Sequence, residues 1–128
     1  MDVILELFSF QGRANRAWYF WHTFLDGAVA FGLILAIVIV GGVLGNPLFV
    51  LPAVGVAVAA SIAAVAITIK RLHDIGRPGW HWWLLLIPFY NIYLGLTLLF
   101  KRGIIGANEF GADPLGRPAP VGYVRGDV

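Results

Sequence analysis

The chain has 128 residues, enough for one domain, and a composition that excludes an ordinary soluble protein. Hydrophobic residues make up 59% and charged residues 12%, whereas a soluble domain carries about 25% charged residues. A short soluble chain leaves much of its surface in water, so this composition predicts that lipid surrounds most of the chain. The net charge of +2 is too small to indicate nucleic acid, and the absence of cysteine excludes disulfides, thiolate metal sites and thiol catalysis.

The sequence of residues 1–21 predicts a segment that lies at the membrane surface and leads into the first span. Residues 1–9 lack the basic region of a signal peptide, so they are expected to be a short interfacial lead-in and the first apolar span an uncleaved anchor. In residues 10–21, Arg13 and Arg16 share one face if the stretch is helical, and a W-Y-F-W aromatic block follows them. The pattern predicts a short interfacial amphipathic helix with snorkelling arginines. The alternative is that one arginine binds a specific phosphate or carboxylate.

Two long apolar spans follow, at residues 24–44 and 48–69, separated by a Gly-Asn-Pro reversal at residues 45–47. At 1.5 Å per residue, each span is long enough to cross about 30 Å of hydrocarbon. Small residues recur every four positions along the second span, in two sets: Gly55, Ala59 and Ala63, and Ala53, Ala57 and Ser61. Because this spacing lets helices approach closely in lipid, the second span is predicted to pack against the first or against a second copy.

The third apolar segment, residues 80–100, is interrupted by Pro88 near its middle. Proline removes a backbone donor and bends or breaks a helix. The segment is therefore either a kinked third crossing or a re-entrant hairpin of two half-length legs. The predicted fold class is an all-α integral membrane bundle of about three transmembrane helices, formed by a single domain over residues 1–114. Residues 115–128, rich in Pro and Gly, are predicted to be a flexible tail.

The distribution of Lys and Arg predicts the orientation. A hairpin of the first two spans puts five basic residues on one side, which should be cytoplasmic together with the N-terminus: Arg13, Arg16, Lys70, Arg71 and Arg77. A third full crossing would carry the basic residues after position 100 to the outside, against the same rule, and a re-entrant hairpin would keep them inside. The length of the third segment favours the crossing.

The polar segment between the second and third spans supplies the first candidate site residues, Arg71, His73, Asp74 and Arg77. A histidine beside a carboxylate could relay protons, since its pKa lies near neutrality, or could be held in one tautomer as a ligand donor. The structural alternative is that Asp74 caps the turn or pairs with Lys70, Arg71 or Arg77. The three histidines lie on different elements, so no metal site and no cofactor is predicted.

Asp26 lies just inside the first span, and an acid at membrane depth is a candidate functional residue. One hypothesis is that Asp26 pairs with Arg13, Arg16 or Lys70. The alternative is a solvated interfacial acid near the start of its helix, where the helix dipole favours an anion.

Three stretches, in this order along the chain, resemble one known pattern. They are F-x-G-R-x-x-R-x-x-Y-F from Phe10 to Phe20, R-L-H-D-I-G-R-x-G-W from Arg71 to Trp80, and G-x-x-G-x-N-x-F-G-x-D-P from Gly103 to Pro114. Together they resemble the domain of unknown function 805 family, small bacterial inner-membrane proteins, over residues 8–114. Pro78 stands where that family usually has Ser, and Trp18 where an acid usually precedes the aromatic pair.

The resemblance implies an inner-membrane protein with helical spans and carries no assigned activity. Arg13 and Arg16 lie in the first matched stretch, and Asn108 and Asp113 lie in the third. With them, the candidate binding cluster at the interface becomes Arg13, Arg16, Arg71, His73, Asp74, Arg77, Asn108 and Asp113. The function predicted is a non-enzymatic interaction or scaffold module with the lipid bilayer, a second copy or another membrane protein as partner. The alternatives are an oligomeric binder or transporter of an anionic lipid head group or small anion, and a lipid-modifying enzyme using His73 and Asp74.

Overall fold

The computed structural model describes residues 2–119 and 121, and these contain helices and no β-strand. The elements follow one another as α1 (Asp2–Leu7), α2 (Arg16–Leu44), a 3₁₀ helix (Pro47–Phe49), α3 (Val50–Asp74), a second 3₁₀ helix (Gly79–Leu86) and α4 (Tyr90–Phe100). The all-helical class predicted from the sequence is thereby confirmed. Two stretches, Arg16–Leu44 and Pro47–Asp74, are long and apolar enough to cross a membrane.

Helix α2 begins eight residues earlier than the predicted span and absorbs the aromatic block. Asn15 caps its first turn, because its side chain accepts a hydrogen bond of 2.9 Å from the backbone N–H of Trp18. The predicted interfacial helix over residues 10–21 is wrong in its first half. Gly12 has a φ of +90° and Arg13 precedes the cap, so Arg13 and Arg16 do not share a helical face.

Helices α2 and α3 form an antiparallel hairpin. The chain reverses at Gly45, whose φ of +62° suits a residue without a side chain, and Asn46 then caps the following 3₁₀ turn at Leu48. At the other end of the hairpin, the backbone N–H of Ala14 donates to the carbonyl of Lys70. Helix α3 continues five residues past the predicted boundary at Ile69, because the charged residues of its last turn have partners inside the fold.

The third apolar segment consists of two separate legs. The 3₁₀ helix of residues 79–86 ends before Pro88, and α4 starts at Tyr90. Phe89, at the turn between the legs, has a positive φ of 65° and is 86% exposed. A positive φ is uncommon for a residue with a side chain, so the turn is a sharp one.

The buried apolar core lies at the end of the hairpin where α2 starts and α3 stops. It contains Tyr19 of α2, three residues from the end of α3 and the turn after it, and two residues of α4: Ile67, Leu72, Ile75, Leu94 and Leu98. Both α4 leucines are fully buried, and burying a leucine side chain contributes about 1.5–3 kcal/mol. This core fixes α4 against the hairpin.

Away from that end, α2 and α3 pack on each other and on the 3₁₀ turn that joins them. Large apolar side chains remain exposed along both helices, for example Phe31 at 70% and Leu51 at 65%. An exposed apolar surface this extended indicates contact with lipid or with other protein. Of the predicted flexible tail, residues 120 and 122–128 lie outside the described part of the chain. Its first residues contact the preceding segment, since Arg117 bonds to Asp113.

Two neighbouring glycines at the end of α2 provide a test of the hairpin. A Cβ added at Gly41 would lie 2.6 Å from the Cβ of Phe49, whereas one added at Gly42 would meet nothing within 4 Å. We expect Gly41→Ala to lower the free energy of unfolding by about 1–3 kcal/mol through overpacking. Gly42→Ala should leave it unchanged or raise it slightly, because alanine favours a helix more than glycine does. Thermal unfolding of the purified variants in mild detergent measures both, and equal melting temperatures would contradict the described packing of the turn on α2.

Candidate functional site

The last turn of α3 places Arg71 and Asp74 three positions apart on its buried face. Their side chains are 0% and 2% exposed, and Nη1 of Arg71 lies 2.5 Å from Oδ2 of Asp74. Side chains at this spacing are neighbours on a helix, so the pair follows from the helical conformation of residues 71–74. Of the three basic residues that the sequence offers as partners for Asp74, Arg71 is thus one that forms an ion pair with it.

A second arginine reaches the same carboxylate from the loop before α2. Nη2 of Arg13 lies 3.0 Å from Oδ1 of Asp74 and Nε lies 3.1 Å from it, and the Arg13 side chain is 1% exposed. One buried carboxylate therefore serves two buried guanidinium groups, which we call the charged cluster (Arg13, Arg71 and Asp74). Its net charge is +1, so its remaining stabilisation has to come from neutral acceptors.

Arg71 donates its remaining hydrogen bonds to backbone carbonyls. Nε donates to the carbonyl of Leu98 at 2.7 Å, Nη1 also lies 3.4 Å from the carbonyl of Ala14, and Nη2 donates to that of Lys101. The last carbonyls of a helix lack partners within the helix. Arg71 thus satisfies the C-terminal end of α4 and holds it against α3.

Arg13 holds the segment after α4 in the same way. It donates at 2.6 Å each to the carbonyls of Ile104 and Gly106, and at 3.3 Å to that of Gly111. The segment also approaches closely at Gly103, where an added Cβ would lie 2.0 Å from Oδ2 of Asp74. The sequence suggests only a turn at this glycine, whereas the absence of a side chain is what admits the carboxylate.

His73 and Asn108 lie beside the charged cluster and join the same elements. Nδ1 of His73 lies 3.0 Å from the carbonyl of Gly12, and its ring stacks on that of Phe110 with centroids 4.1 Å apart. The side chain of Asn108 donates to the carbonyl of His73 at 2.8 Å. The His73 ring and the Asp74 carboxylate therefore have different partners, an arrangement that does not favour a proton relay between them.

Asp113 organises the segment after α4, residues 101–117, which we call the closing segment. Its Oδ2 accepts from the backbone N–H of Gly106 at 3.0 Å and from Nε of Arg117 at 2.8 Å, and Oδ1 accepts from the N–H of Leu115 at 2.8 Å. Burial alone would raise the pKa of this carboxyl, but the hydrogen bonds from Arg117, Leu115 and Gly106 lower it to about 2. The carboxylate is therefore ionised at physiological pH and closes the loop around Gly106.

Arg16 and Arg77, the other two predicted site residues, lie outside the charged cluster. Arg16 is exposed, and its Nη1 donates to the carbonyl of Phe100 at 3.2 Å. Arg77 lies 3.4 Å from the hydroxyl of Tyr90. Within residues 4–119, three ion pairs are present and none involves Arg16, Arg77 or Asp26. The pairing hypothesis for Asp26 is therefore wrong, because its three proposed partners bond elsewhere. Arg13 bonds to Asp74, Arg16 to the carbonyl of Phe100 and Lys70 to the carbonyl of Glu6.

No group of three or more potential metal-ligating side chains occurs among the described residues. The contacts that sequence reasoning missed are the backbone carbonyls between Leu98 and Gly111, which carry no side-chain signal. The contacts of Lys70 were also not predicted: its Nζ donates to the carbonyl of Glu6 and lies 5.3 Å from the ring centre of Trp18. A lysine at the end of a long apolar helix does not by itself indicate such a buried position.

Two long, apolar and largely exposed helices with a buried charged cluster at one end are typical of a helical membrane protein. The family model described as "Protein of unknown function (DUF805)" matches residues 7–112, and the chain belongs to this family. The resemblance seen in the three sequence stretches is thereby confirmed.

Two curated relatives support the same assignment. The chain is 30% identical over 114 residues to "Inner membrane protein YhaI" of Escherichia coli K12, covering 89% of this chain and 92% of the relative. It is 28% identical over 121 residues to "Inner membrane protein YhaH" of the same organism, covering 89% and 93%. No solved structure shows a significant match. The chain is accordingly an inner-membrane protein of a family without an assigned activity.

Arg13 and Arg16 offer a matched test of the charged cluster. We expect Arg13→Lys to lower the free energy of unfolding by about 3 kcal/mol, because lysine keeps the charge but cannot replace the planar fork that bonds Asp74 and several carbonyls. Arg16→Lys, at an exposed position with one backbone contact, should change it by less than about 1 kcal/mol. Thermal unfolding in detergent compares the two variants. Equal losses would mean that Arg13 does not hold the closing segment.

Proposed function

We propose that this chain is a non-enzymatic scaffold of the bacterial inner membrane, with two spanning helices, a re-entrant hairpin and a cytoplasmic cap. The cap is formed by the residues from Gly12 to Arg16, the last turn of α3 and the closing segment 101–117. The observation that carries the proposal is the bonding of the charged cluster within the chain: every nitrogen of both guanidinium groups has a partner there. These contacts occupy nine of the ten N–H donors of the two groups, so the arginines lock elements together and offer a substrate almost no free donor.

The lengths of the two legs support the re-entrant hairpin. Eight residues of 3₁₀ helix rise about 16 Å and the eleven residues of α4 also rise about 16 Å, half of the roughly 30 Å of a hydrocarbon layer. Both ends of the hairpin are bonded to the end of α3, through the turn after Asp74 and through Arg71. The total length of the third apolar segment favours a third crossing, but the lengths of its two separate legs favour the re-entrant hairpin.

The charges support the orientation. The end of the hairpin that carries the cap holds the basic residues of the described chain: Arg13, Arg16, Lys70, Arg71, Arg77, Lys101, Arg102 and Arg117. Residues 41–50, at the opposite end, carry no charge. Excess Lys and Arg mark the cytoplasmic side of a membrane protein.

Cysteine labelling tests this topology without background, because the chain has no cysteine. We expect Ser9→Cys and Ala119→Cys to be protected from a membrane-impermeant maleimide in intact cells and to react once the cells are opened. Both positions lie on the cap side in a protein with a re-entrant hairpin. The Asn46→Cys variant, in the turn at the opposite end, should react in intact cells and serves as the positive control.

Each position has an outcome that contradicts the proposal. Reaction of position 119 in intact cells, with position 9 protected, would mean three crossings and would refute the re-entrant hairpin. Reaction of position 9 in intact cells, with position 46 protected, would reverse the orientation.

The scaffold role requires a surface for another protein, and α3 offers one. Its outer face forms an apolar groove of about 410 Å³ that includes Ala57, Val58 and Ser61. Small residues one turn apart allow a helix to approach closely in lipid. The partner that we propose is a second copy of the chain, because two copies related by a two-fold axis would bury the same face on each.

Self-association can be measured by energy transfer between copies labelled at Ser9→Cys with donor or acceptor in dilute lipid vesicles. We expect transfer above the level of random mixing, and Ala57→Leu should reduce it by blocking close approach. Ala36→Leu makes the same change at an exposed position of α2 and should leave transfer unaltered. Transfer at the random level in the unsubstituted protein would refute self-association, and equal losses in both variants would refute the assigned face.

A further inference from the structure

A second groove, of about 500 Å³, lies between α2 and α4. Its walls are apolar: Phe20 and Phe24 from α2, and Ile92, Leu96 and Leu99 from α4. The glycine between the α4 side chains, Gly95, also lines it, and a Cβ added there would meet nothing within 4 Å. The groove is therefore unfilled by the chain and has the dimensions of a small-molecule site.

One end of this groove carries positive charge. Arg16 precedes the α2 wall by one turn, and its guanidinium lies 3.2 Å from the carbonyl of Phe100, which follows Leu99 of the α4 wall. Lys101 comes next in the chain and is exposed. Neither cation takes part in an ion pair within the described residues, so the mouth of the groove has a net positive charge.

We propose that this groove binds an anionic phospholipid of the cytoplasmic leaflet, with an acyl chain between α2 and α4 and its phosphate at Arg16 and Lys101. An apolar cleft with cations at one end is complementary to an amphiphile with a negative head. Guanidinium groups form charge-assisted hydrogen bonds with phosphate oxygens, and basic residues at the cytoplasmic surface attract anionic lipids. The site goes beyond the scaffold role and uses the arginine that the charged cluster leaves out.

Arg16 differs in this respect from the two arginines beside it. Arg13 and Arg71 are buried, and every nitrogen of both guanidinium groups bonds within the chain, so a phosphate would have to displace contacts that hold the cap. Arg16 makes one hydrogen bond, to an exposed carbonyl, and its other donors can reach a ligand without any rearrangement of the fold. The placement of the phosphate at the cytoplasmic surface rests on the proposed topology, whereas the binding itself does not.

The test uses the full chain in a neutral detergent, titrated with phosphatidylglycerol or with phosphatidylcholine of the same acyl chains. Native mass spectrometry counts bound lipids, and thermal unfolding reports stabilisation. We expect one phosphatidylglycerol per chain, bound at least about tenfold more tightly than phosphatidylcholine, a difference of about 1.4 kcal/mol. Gly95→Leu, which fills the groove, should weaken phosphatidylglycerol binding about tenfold.

Gly32→Leu is the matched control, since an added Cβ at Gly32 on α2 also meets nothing within 4 Å and this residue does not line the groove. Arg16→Gln, an exposed change that keeps the fold, should bring phosphatidylglycerol affinity to that of phosphatidylcholine. Equal binding of the two lipids by the unsubstituted protein would overturn the anionic ligand. Phosphatidylglycerol binding unchanged in both Gly95→Leu and Arg16→Gln, or weakened as much by Gly32→Leu, would overturn the site. Failure here with cysteine labelling as expected would leave the topology standing.

Discussion

The carboxylate of Asp74 accepts hydrogen bonds from two arginines, one from the preceding turn of the same helix and one from 61 residues earlier in the chain. Removing two guanidinium groups from water costs several kcal/mol for each ion, and one carboxylate balances only one of the two charges. The remaining stabilisation comes from backbone carbonyls near the end of α4 and in the closing segment. Because those carbonyls lie on elements that are separate in sequence, the energetic requirement of the arginines determines how the elements assemble.

The apolar spans could be predicted from composition and length, and the residues where they end could not. The first apolar span begins at Phe24 in the sequence, but α2 begins at Arg16 because Asn15 caps it there and the aromatic block is compatible with a helix. The second span ends at Ile69 by hydropathy, but α3 runs to Asp74 because its charged side chains are bonded within the fold. Hydropathy describes the preference of a segment for lipid, whereas a helix end depends on where its unpaired backbone groups find partners.

The charged cluster could be predicted in part. The pairing of Arg71 with Asp74 follows from a spacing of three on a helix, and it was one of three pairings that the sequence allowed. The pairing with Arg13 could not be derived, because contact between distant segments depends on the hairpin and on the return of α4. Gly103 illustrates the same limit. Its role as the point of approach to Asp74 becomes visible only when the carboxylate is placed beside it, although a glycine within a matched sequence pattern is a signal that a side chain is not tolerated.

Arginines at one end of this molecule differ in what their side chains can bind, and the burial of each side chain decides the difference. A guanidinium that is removed from water must have its donors satisfied when the chain folds, so Arg13 and Arg71 can act only on the protein itself. A guanidinium at the surface retains its donors for water or for a head-group phosphate, as Arg16 does.

The two apolar helices also differ along their length in what covers them. Near the cap they are covered by α4 and the closing segment, and beyond it only a partner or lipid can cover the side chains that two helices leave exposed. Polar contacts thus hold the elements together at one end of the molecule, and the apolar length of the two helices stays available to whatever surrounds it.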